Sequence, residues 1–259
     1  MQEPEIILKT MMRGLVDNSV DKIYKSHREL YKLGDSVIPI IEDQLFSYSW
    51  DEIKYGAELD ILSGLLSLVN DISETKAKEL GDKIIENDCD NIVASRIKSI
   101  INFSLNKFNS YKIGELTIFQ SKELSVTANI KQKMESWLSY VSEDDLNRID
   151  RIYIIPETDE EHMGTYTPIL CSIMIEWSNT FSKYNLFSYL LSIQVESTLY
   201  HEIGHHVHGH TFGNVPDQER EADKYAGKIL SKSHPILSVI VKSIKWMFST
   251  NKRKSENPR

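Results

Sequence analysis

The sequence predicts an α+β protein in which an all-helical N-terminal region precedes a smaller unit of helices and strands. Its 259 residues suffice for one large domain or two modest ones. Gly and Pro contribute only 11 and 7 residues, fewer than the frequent turns of an all-β sandwich or barrel would need. Apolar residues recur at helical spacing through the first hundred residues, whereas runs of β-branched and aromatic residues begin only after residue 106.

The N-terminal region is expected to form successive amphipathic helices between residues 5 and 103. A bend is expected over 32–36, because Gly34 interrupts the apolar spacing there. Helix pairs recur at roughly 40 residues, which resembles helical repeats of the HEAT type. An irregular helical bundle accounts for the same pattern equally well. The periodic apolar positions include Leu30, Leu33, Val37, Ile40, Ile41 and Leu45, and then Leu59, Leu62, Leu65, Leu66 and Val69.

The C-terminal unit is expected to contain a strand, a helix, two strands and two helices, in that order, around a short mixed sheet. The change of pattern near residue 105 predicts a domain boundary. The predicted domains are an all-helical region over 1–105, an α+β core over 106–250 and a basic flexible tail over 251–259. The predicted elements are strands at 111–119, 151–156 and 168–177, a helix at 128–149, an acidic loop at 158–167, a helix from 184 onward and a closing helix at 236–248.

Charge and targeting signals restrict the partners. Asp and Glu outnumber Lys and Arg by 38 to 30, and the resulting acidic surface would repel a phosphate backbone, so nucleic acid is not expected to bind. Cys89 and Cys171 are too few for a disulfide framework. No secretory signal and no apolar run of about 18 residues is visible, so neither a membrane span nor a membrane partner is expected. These features predict a cytoplasmic protein.

A short motif at residues 201–205, H-E-I-G-H, carries the chemistry. On a helix, residues four apart lie about 40° from one another around the axis and roughly 6 Å along it. The imidazoles of His201 and His205 can therefore reach one metal ion. Glu202 follows by about 100° of rotation, so its carboxylate is expected beside the metal, where a general base would act.

The motif supplies two metal ligands, so a third is expected elsewhere in the chain. His208 lies on the same face as His201 but about 10.5 Å further along a continuous helix, which is too far to share a tetrahedral zinc ion. A second helix is predicted downstream, with Pro216 near its start and Asp217 as its N-cap. This helix offers Glu219 as the third ligand.

Other polar side chains surround these candidates. Asp223 follows Glu219 by four residues and can accept the outward N–H of a ligating imidazole. Glu221, between them, is expected to point the other way. His206, His208 and His210 are expected to be surface or loop residues, since no nearby carboxylate pair completes a second metal site.

H-E-I-G-H at 201–205 followed by E-R-E-A-D at 219–223 resembles the signatures of the gluzincin clan of zinc metallopeptidases. The clan includes thermolysin-like, prenyl-protein-processing and ImmA/IrrE-like peptidases. The resemblance covers residues 111–232 and implies a zincin-type core, with Zn²⁺ held by His201, His205 and Glu219. It also implies acid and base chemistry by Glu202 and support from Asp223. With no membrane helices and no evident substrate domain after the second helix, the chain resembles a minimal soluble gluzincin.

The resemblance implies hydrolysis of peptide bonds in a peptide or protein substrate. The N-terminal helices could then dock a protein partner. The alternative is a non-catalytic adaptor or regulatory protein in which zinc braces two helices. The strand at 168–177 is expected either to be the sheet edge on which an extended peptide pairs or to be a buried strand. Tyr200, His208 and Tyr225 are candidates for stabilising the oxyanion.

Overall fold

The N-terminal region is helical, as predicted. The computed structural model describes residues 3–17, 19–50, 56–87, 89–124, 129–157, 163–167, 170–178, 186–210 and 215–236. Gly34 has a φ of 57° and begins a short 3₁₀ turn after the second helix, so the predicted bend is confirmed. The helices are α1 (Pro4–Val16), α2 (Val20–Leu33), α3 (Ile38–Leu45), α4 (Ala57–Ile72), α5 (Glu74–Glu86) and α6 (Asn91–Ile101).

The helices of this region surround α4. That helix contacts α1, α2, α3, α5 and α6, and it is buried without a break from Gly64 to Val69. A helix that is apolar on all sides belongs in the centre of a bundle. In a repeat array, by contrast, each unit contacts only its neighbours. The structure therefore favours the irregular bundle over the HEAT-like array.

The C-terminal unit contains a mixed five-stranded sheet among its described residues, with the strand order β1-β2-β3-β5-β4. The three central strands, β2, β3 and β5, are parallel, and the two outer strands are antiparallel to their neighbours. The short mixed sheet predicted from the sequence is thus present. The strands are β1 (Phe108–Ile113), β2 (Leu116–Ser121), β3 (Arg151–Pro156), β4 (Gly164–Thr167) and β5 (Ser172–Trp177).

Two predicted elements are each divided in the structure. The single strand expected at 111–119 is a hairpin, because Gly114 has a φ of 58° and turns the chain between β1 and β2. The single helix expected at 128–149 is two helices, α7 (Ile130–Leu138) and α8 (Glu143–Leu146). Ser142 starts the second of these, since its side chain accepts a hydrogen bond from the backbone N–H of Asp145.

The sequence left open whether the strand within 168–177 is an edge of the sheet or a buried strand. β5 pairs with β3 on one side and with β4 on the other, and most of its residues are buried. The strand within 168–177 is therefore the buried one of the two alternatives, and its interpretation as an edge strand is wrong. Among the described residues β4 has only β5 as a neighbour and so forms this edge of the sheet. It lies in the segment expected to be an acidic loop; residues 158–162 of that loop lie outside the described residues.

The sheet separates two groups of helices. Ile152 and Ile154 of β3 face a core that includes residues of α7, α9 (Leu186–His208) and α10 (Pro216–Ser233). The alternate residues face the N-terminal region, since Arg151 lies 2.7 Å from Asp71 of α4 and the ring of Tyr153 lies 5.0 Å from that of Phe103, just after α6. Both predicted helices of the metal motif are present. Residue 217 lies inside the first turn of α10 and Val215 is its N-cap, so the predicted N-cap is wrong.

The buried apolar side chains form two clusters, one from residues 7–97 and one from residues 116–229. The domain limits near residue 105 and at residue 250 stay predictions. The predicted closing helix at 236–248, beyond its first residue, and the tail at 251–259 lie outside the described residues. Within the part of the chain that the structure describes, no helix combines the length and the apolar character that crossing a bilayer requires.

Candidate metal centre

The H-E-I-G-H motif lies in the last two turns of α9. One stripe of this helix, Val195, Leu199 and Ile203, is buried in the core beneath the sheet. Helical periodicity places the motif's polar side chains on the adjoining flank, where α9 contacts β4 and α10. Packing of the apolar stripe thus fixes the direction in which the two histidines project.

Gly204, at one of the variable motif positions, lets α10 approach α9. A Cβ atom at Gly204 would lie 2.9 Å from the Cα of Ala222 and 3.0 Å from its carbonyl oxygen. Contacts of this length with backbone atoms leave no room for a side chain. The small residues at these two positions therefore set the distance between the helices, and with it the position of Glu219.

Three predicted ligands come together between the two helices. The Nε2 atoms of His201 and His205 are 3.0 Å apart. Glu219 places Oε2 3.1 Å from the first and Oε1 3.6 Å from the second. One ligand atom from each residue lies within 4.8 Å of the others, so this group could hold one metal ion. Two imidazole nitrogens and a carboxylate oxygen are ordinary ligands of transition metals.

Asp223 lies where the sequence predicts it. Its Oδ1 atom is 2.9 Å from Nδ1 of His201, on the side of the ring opposite the ligand atom. A carboxylate can only accept, so Nδ1 carries the proton, and Nε2 is the nitrogen that would give its lone pair to a metal ion. The tautomer of this ligand is therefore set from α10.

His205 has a different outer partner, which the sequence did not predict. Its Nδ1 atom lies 3.0 Å from Nδ1 of His210, and Nε2 of His210 lies 3.0 Å from Oε2 of Glu221. His210 lies after the end of α9, which agrees with the expected loop position, but it is 7 % exposed and so is not a surface side chain. Glu221 points away from the ligand group, as expected, but toward His210.

The local electrostatics favour the neutral form of His205. Burial lowers its pKa, and the neighbouring His201 lowers it further, against the opposing effect of Glu219. Only a neutral imidazole has a lone pair to give to a metal. His205 could therefore offer a lone pair to a metal ion at neutral pH.

Glu202 lies between α9 and the edge strand. It is 8 % exposed, and a Cβ atom at Gly164 of β4 would lie 3.1 Å from its Cγ and 3.2 Å from its Oε1. The same Cβ would lie 2.5 Å from Cγ2 of Thr198, so only glycine allows the strand to pass this close. The carboxylate and the first residue of the sheet edge are thus direct neighbours.

His206 ties the edge strand to α9, a role that the sequence did not reveal. Its Nε2 donates to the carbonyl of Asn147 at 2.7 Å, which leaves Nδ1 to accept from the hydroxyl of Tyr166 at 2.9 Å. Burial lowers the pKa of this histidine, consistent with the neutral tautomer that both bonds need. His206 is buried, so the expectation of a surface residue is wrong here too.

The three candidates for stabilising the oxyanion make contacts outside the ligand group. His208 is exposed, as expected, and stacks on His210 with ring centres 5.6 Å apart; it is not in the ligand group. The hydroxyl of Tyr200 donates to the carbonyl of Trp137 at 3.0 Å. The hydroxyl of Tyr225 donates to Asp145 at 2.8 Å. The two tyrosine hydroxyls therefore have partners away from the ligand group.

Comparisons of the chain with protein-family models, with curated proteins and with solved structures find no match. The centre combines a group that could hold a metal ion, a carboxylate beside the edge of a sheet, and outer partners for both histidines.

Proposed function

We propose that this chain is a zinc-dependent metallopeptidase of the gluzincin type. The observation that carries the proposal is the convergence of His201, His205 and Glu219 from two helices, with Glu202 next to the edge strand. The resemblance of the two motifs to gluzincins, which the sequence suggested, supports the same activity.

Zinc fits the donor set. Ligand atoms at about 2.0–2.1 Å from a tetrahedral zinc ion lie roughly 3.3 Å from one another. The two imidazole nitrogens are 3.0 Å apart, and each lies 3.1 or 3.6 Å from its nearer oxygen of Glu219, so a small shift of the carboxylate would bring one oxygen to a ligand position. Three protein ligands are also the usual number in a catalytic zinc site, which keeps one position open, whereas a structural site has four. This favours hydrolysis over the alternative of a zinc-braced adaptor.

When bound, zinc supplies Lewis-acid polarisation of a carbonyl and lowers the pKa of water to about 7. The protein's part falls to Glu202, whose carboxylate can take the proton of the attacking water and pass it to the leaving amine. Its burial against β4 keeps this carboxylate in one place. The outer hydrogen bonds of His201 and His205 place a proton on the ring nitrogen away from the metal, so each Nε2 could give its lone pair to the metal.

The sheet edge supports a peptide as the substrate. Among the described residues, β4 pairs only with β5, so the other side of Gly164–Thr167 can pair with an extended chain. Because Gly164 lies against Glu202, a peptide pairing there would pass beside the general base. The hydrogen bond between Tyr166 and His206 would hold this strand in register with α9.

The test compares the purified protein with its Glu202→Gln variant. Both are incubated with a peptide library derived from a proteome, and new termini are identified by mass spectrometry. We expect cleavage by the unaltered protein, a loss of at least about 10²-fold in the variant and about one equivalent of zinc in both. Exposed Glu135→Gln is the control and should cleave normally. Zinc binding without cleavage by any of these proteins would favour the adaptor.

A further inference from the structure

We propose that His210 and Glu221 form a relay that positions His205 for the metal. The inference rests on the zinc site of the proposed function and assigns two more residues to it. The relay runs from the metal ligand to the first residue after the turn that ends α9, and from there to α10.

The turn at the end of α9 brings His210 back onto His205. Gly209 has a φ of 68°, a conformation that glycine adopts without strain and that commonly ends a helix. The backbone N–H of His210 then donates to the carbonyl of His205 at 2.9 Å. Backbone and ring of His210 thus contact the same ligand residue, and little freedom remains for the imidazole.

The hydrogen-bonding capacities of the three side chains are consistent with one proton arrangement. Nε2 of His205 faces the ligand group and needs its lone pair, so the proton of the neutral ring lies on Nδ1. That N–H donates to Nδ1 of His210, which must then be unprotonated. His210 consequently carries its proton on Nε2 and donates it to the carboxylate of Glu221.

This arrangement gives each histidine ligand a carboxylate from α10. His201 reaches Asp223 directly, and His205 reaches Glu221 through His210. Glu219, between the two rings, completes the ligand group. The alternating acidic residues of E-R-E-A-D therefore all act on one centre, although Glu221 projects from a different face of the helix. Outer partners of this kind orient a ligand and raise its basicity.

The experiment measures zinc affinity rather than catalysis. His210→Ala, Glu221→Ala and the double variant are freed of metal with a chelator and titrated with zinc against a chromophoric competitor. Two controls remove exposed carboxylates that contact neither His205 nor His210: Asp217→Asn, which is paired with Arg220, and Glu135→Gln on α7. The unfolding temperature of each metal-free variant is recorded alongside.

We expect His210→Ala to bind zinc about 10- to 100-fold more weakly than the unaltered protein, with Glu221→Ala weakened in the same direction. The double variant should lose no more than His210→Ala does, because both residues act along one path. The control variants should keep the original affinity. Glu221→Ala removes an exposed side chain and should fold normally, so it tests the relay even where loss of buried His210 impairs folding.

Equal zinc affinity in Glu221→Ala and the unaltered protein would overturn the relay, as would additive losses in the double variant. These outcomes differ from a failure of the proposed function. If the unaltered protein itself bound no zinc, the metal site would be wrong, whereas zinc binding that is insensitive to residues 210 and 221 would refute only the relay.

Discussion

At the scale of single residues, the candidate metal centre has a part fixed by helix geometry and a part fixed by chain folding. The spacing of His201, Glu202 and His205 sets their relative positions on any helix, so sequence could predict them. The partner of His205 depends on where the chain returns after Gly209. That glycine directly after the motif helix is a sequence signal for a helix end, but it does not indicate which ring meets His205.

Replacing Glu219 tests whether it is the third metal ligand. Glu219→Ala leaves two imidazoles, which is too few for tight zinc binding, and we expect the purified variant to contain well under a tenth of an equivalent of zinc by elemental analysis. Asp217→Asn, on the same turn of α10, should retain about one equivalent. A normal zinc content in Glu219→Ala would show that another donor holds the metal.

At the scale of elements, the site depends on how closely α9 and α10 approach. Gly204 and Ala222 lie in contact at the crossing, and Gly164 allows β4 to pass against α9. The motif pattern leaves position 204 open to any residue, so the requirement for glycine there is a property of this helix pair. This requirement can be recognised only when the position of α10 against α9 is known.

One methyl group added at position 204 should force α9 and α10 apart. Gly204→Ala would put a Cβ atom 2.9 Å from a backbone atom of Ala222, and we expect a loss of about 1–3 kcal/mol in the free energy of unfolding together with weaker zinc binding. Gly227→Ala is the matched control on α10, since a methyl group added there would meet nothing within 4 Å. That variant should be more stable by about 0.5–1 kcal/mol, as measured by denaturant unfolding.

Gly204→Ala with unchanged zinc affinity and unchanged stability would refute the claim that this contact sets the position of Glu219.

The elements that the sequence predicted least well are those defined by pairing between distant segments. The run at 111–119 is rich in β-branched and aromatic residues, and the turn interrupts it at only two residues, Gly114 and Glu115. β4 has four residues inside an acidic stretch, too short for periodicity to register. Whether β4 or β5 forms the edge depends on their pairing, which a one-dimensional pattern does not contain. The long apolar helices, by contrast, were predictable because their signal is local.

At the scale of the whole molecule, a partly buried ion pair joins the helical region to the sheet. Arg151 of β3 lies 2.7 Å from Asp71 of α4, with side chains 16 % and 10 % exposed, and His27 lies 3.5 Å from the same carboxylate. Burial by itself would raise the pKa of Asp71, but His27 and Arg151 outweigh it and lower that pKa. This stabilisation is present above the unfolded value of about 3.9 and is lost as pH falls through the lower folded value.

Removing one partner of this ion pair should lower the free energy of unfolding. Arg151→Leu leaves the carboxylate of Asp71 buried without its main counter-ion, and we expect a loss of about 3–5 kcal/mol in the free energy of unfolding. Arg151→Leu combined with Asp71→Leu should recover most of that loss, since no unpaired charge remains. Lys83→Ala, which breaks an exposed pair with Glu42, should leave stability nearly unchanged.

Similar losses in the single and double variants at this pair would contradict the electrostatic explanation and point to packing alone. Docking of a protein partner by the N-terminal helices stays a prediction.

The central claim is that His201, His205 and Glu219 together bind one zinc ion with an open fourth position. X-ray absorption at the zinc edge of the purified, zinc-loaded protein tests it most directly. The account predicts one equivalent of zinc with about four nitrogen or oxygen neighbours at roughly 2.0–2.1 Å, two of them imidazoles. A sulfur neighbour at about 2.3 Å, a third imidazole or the absence of stoichiometric zinc would contradict it.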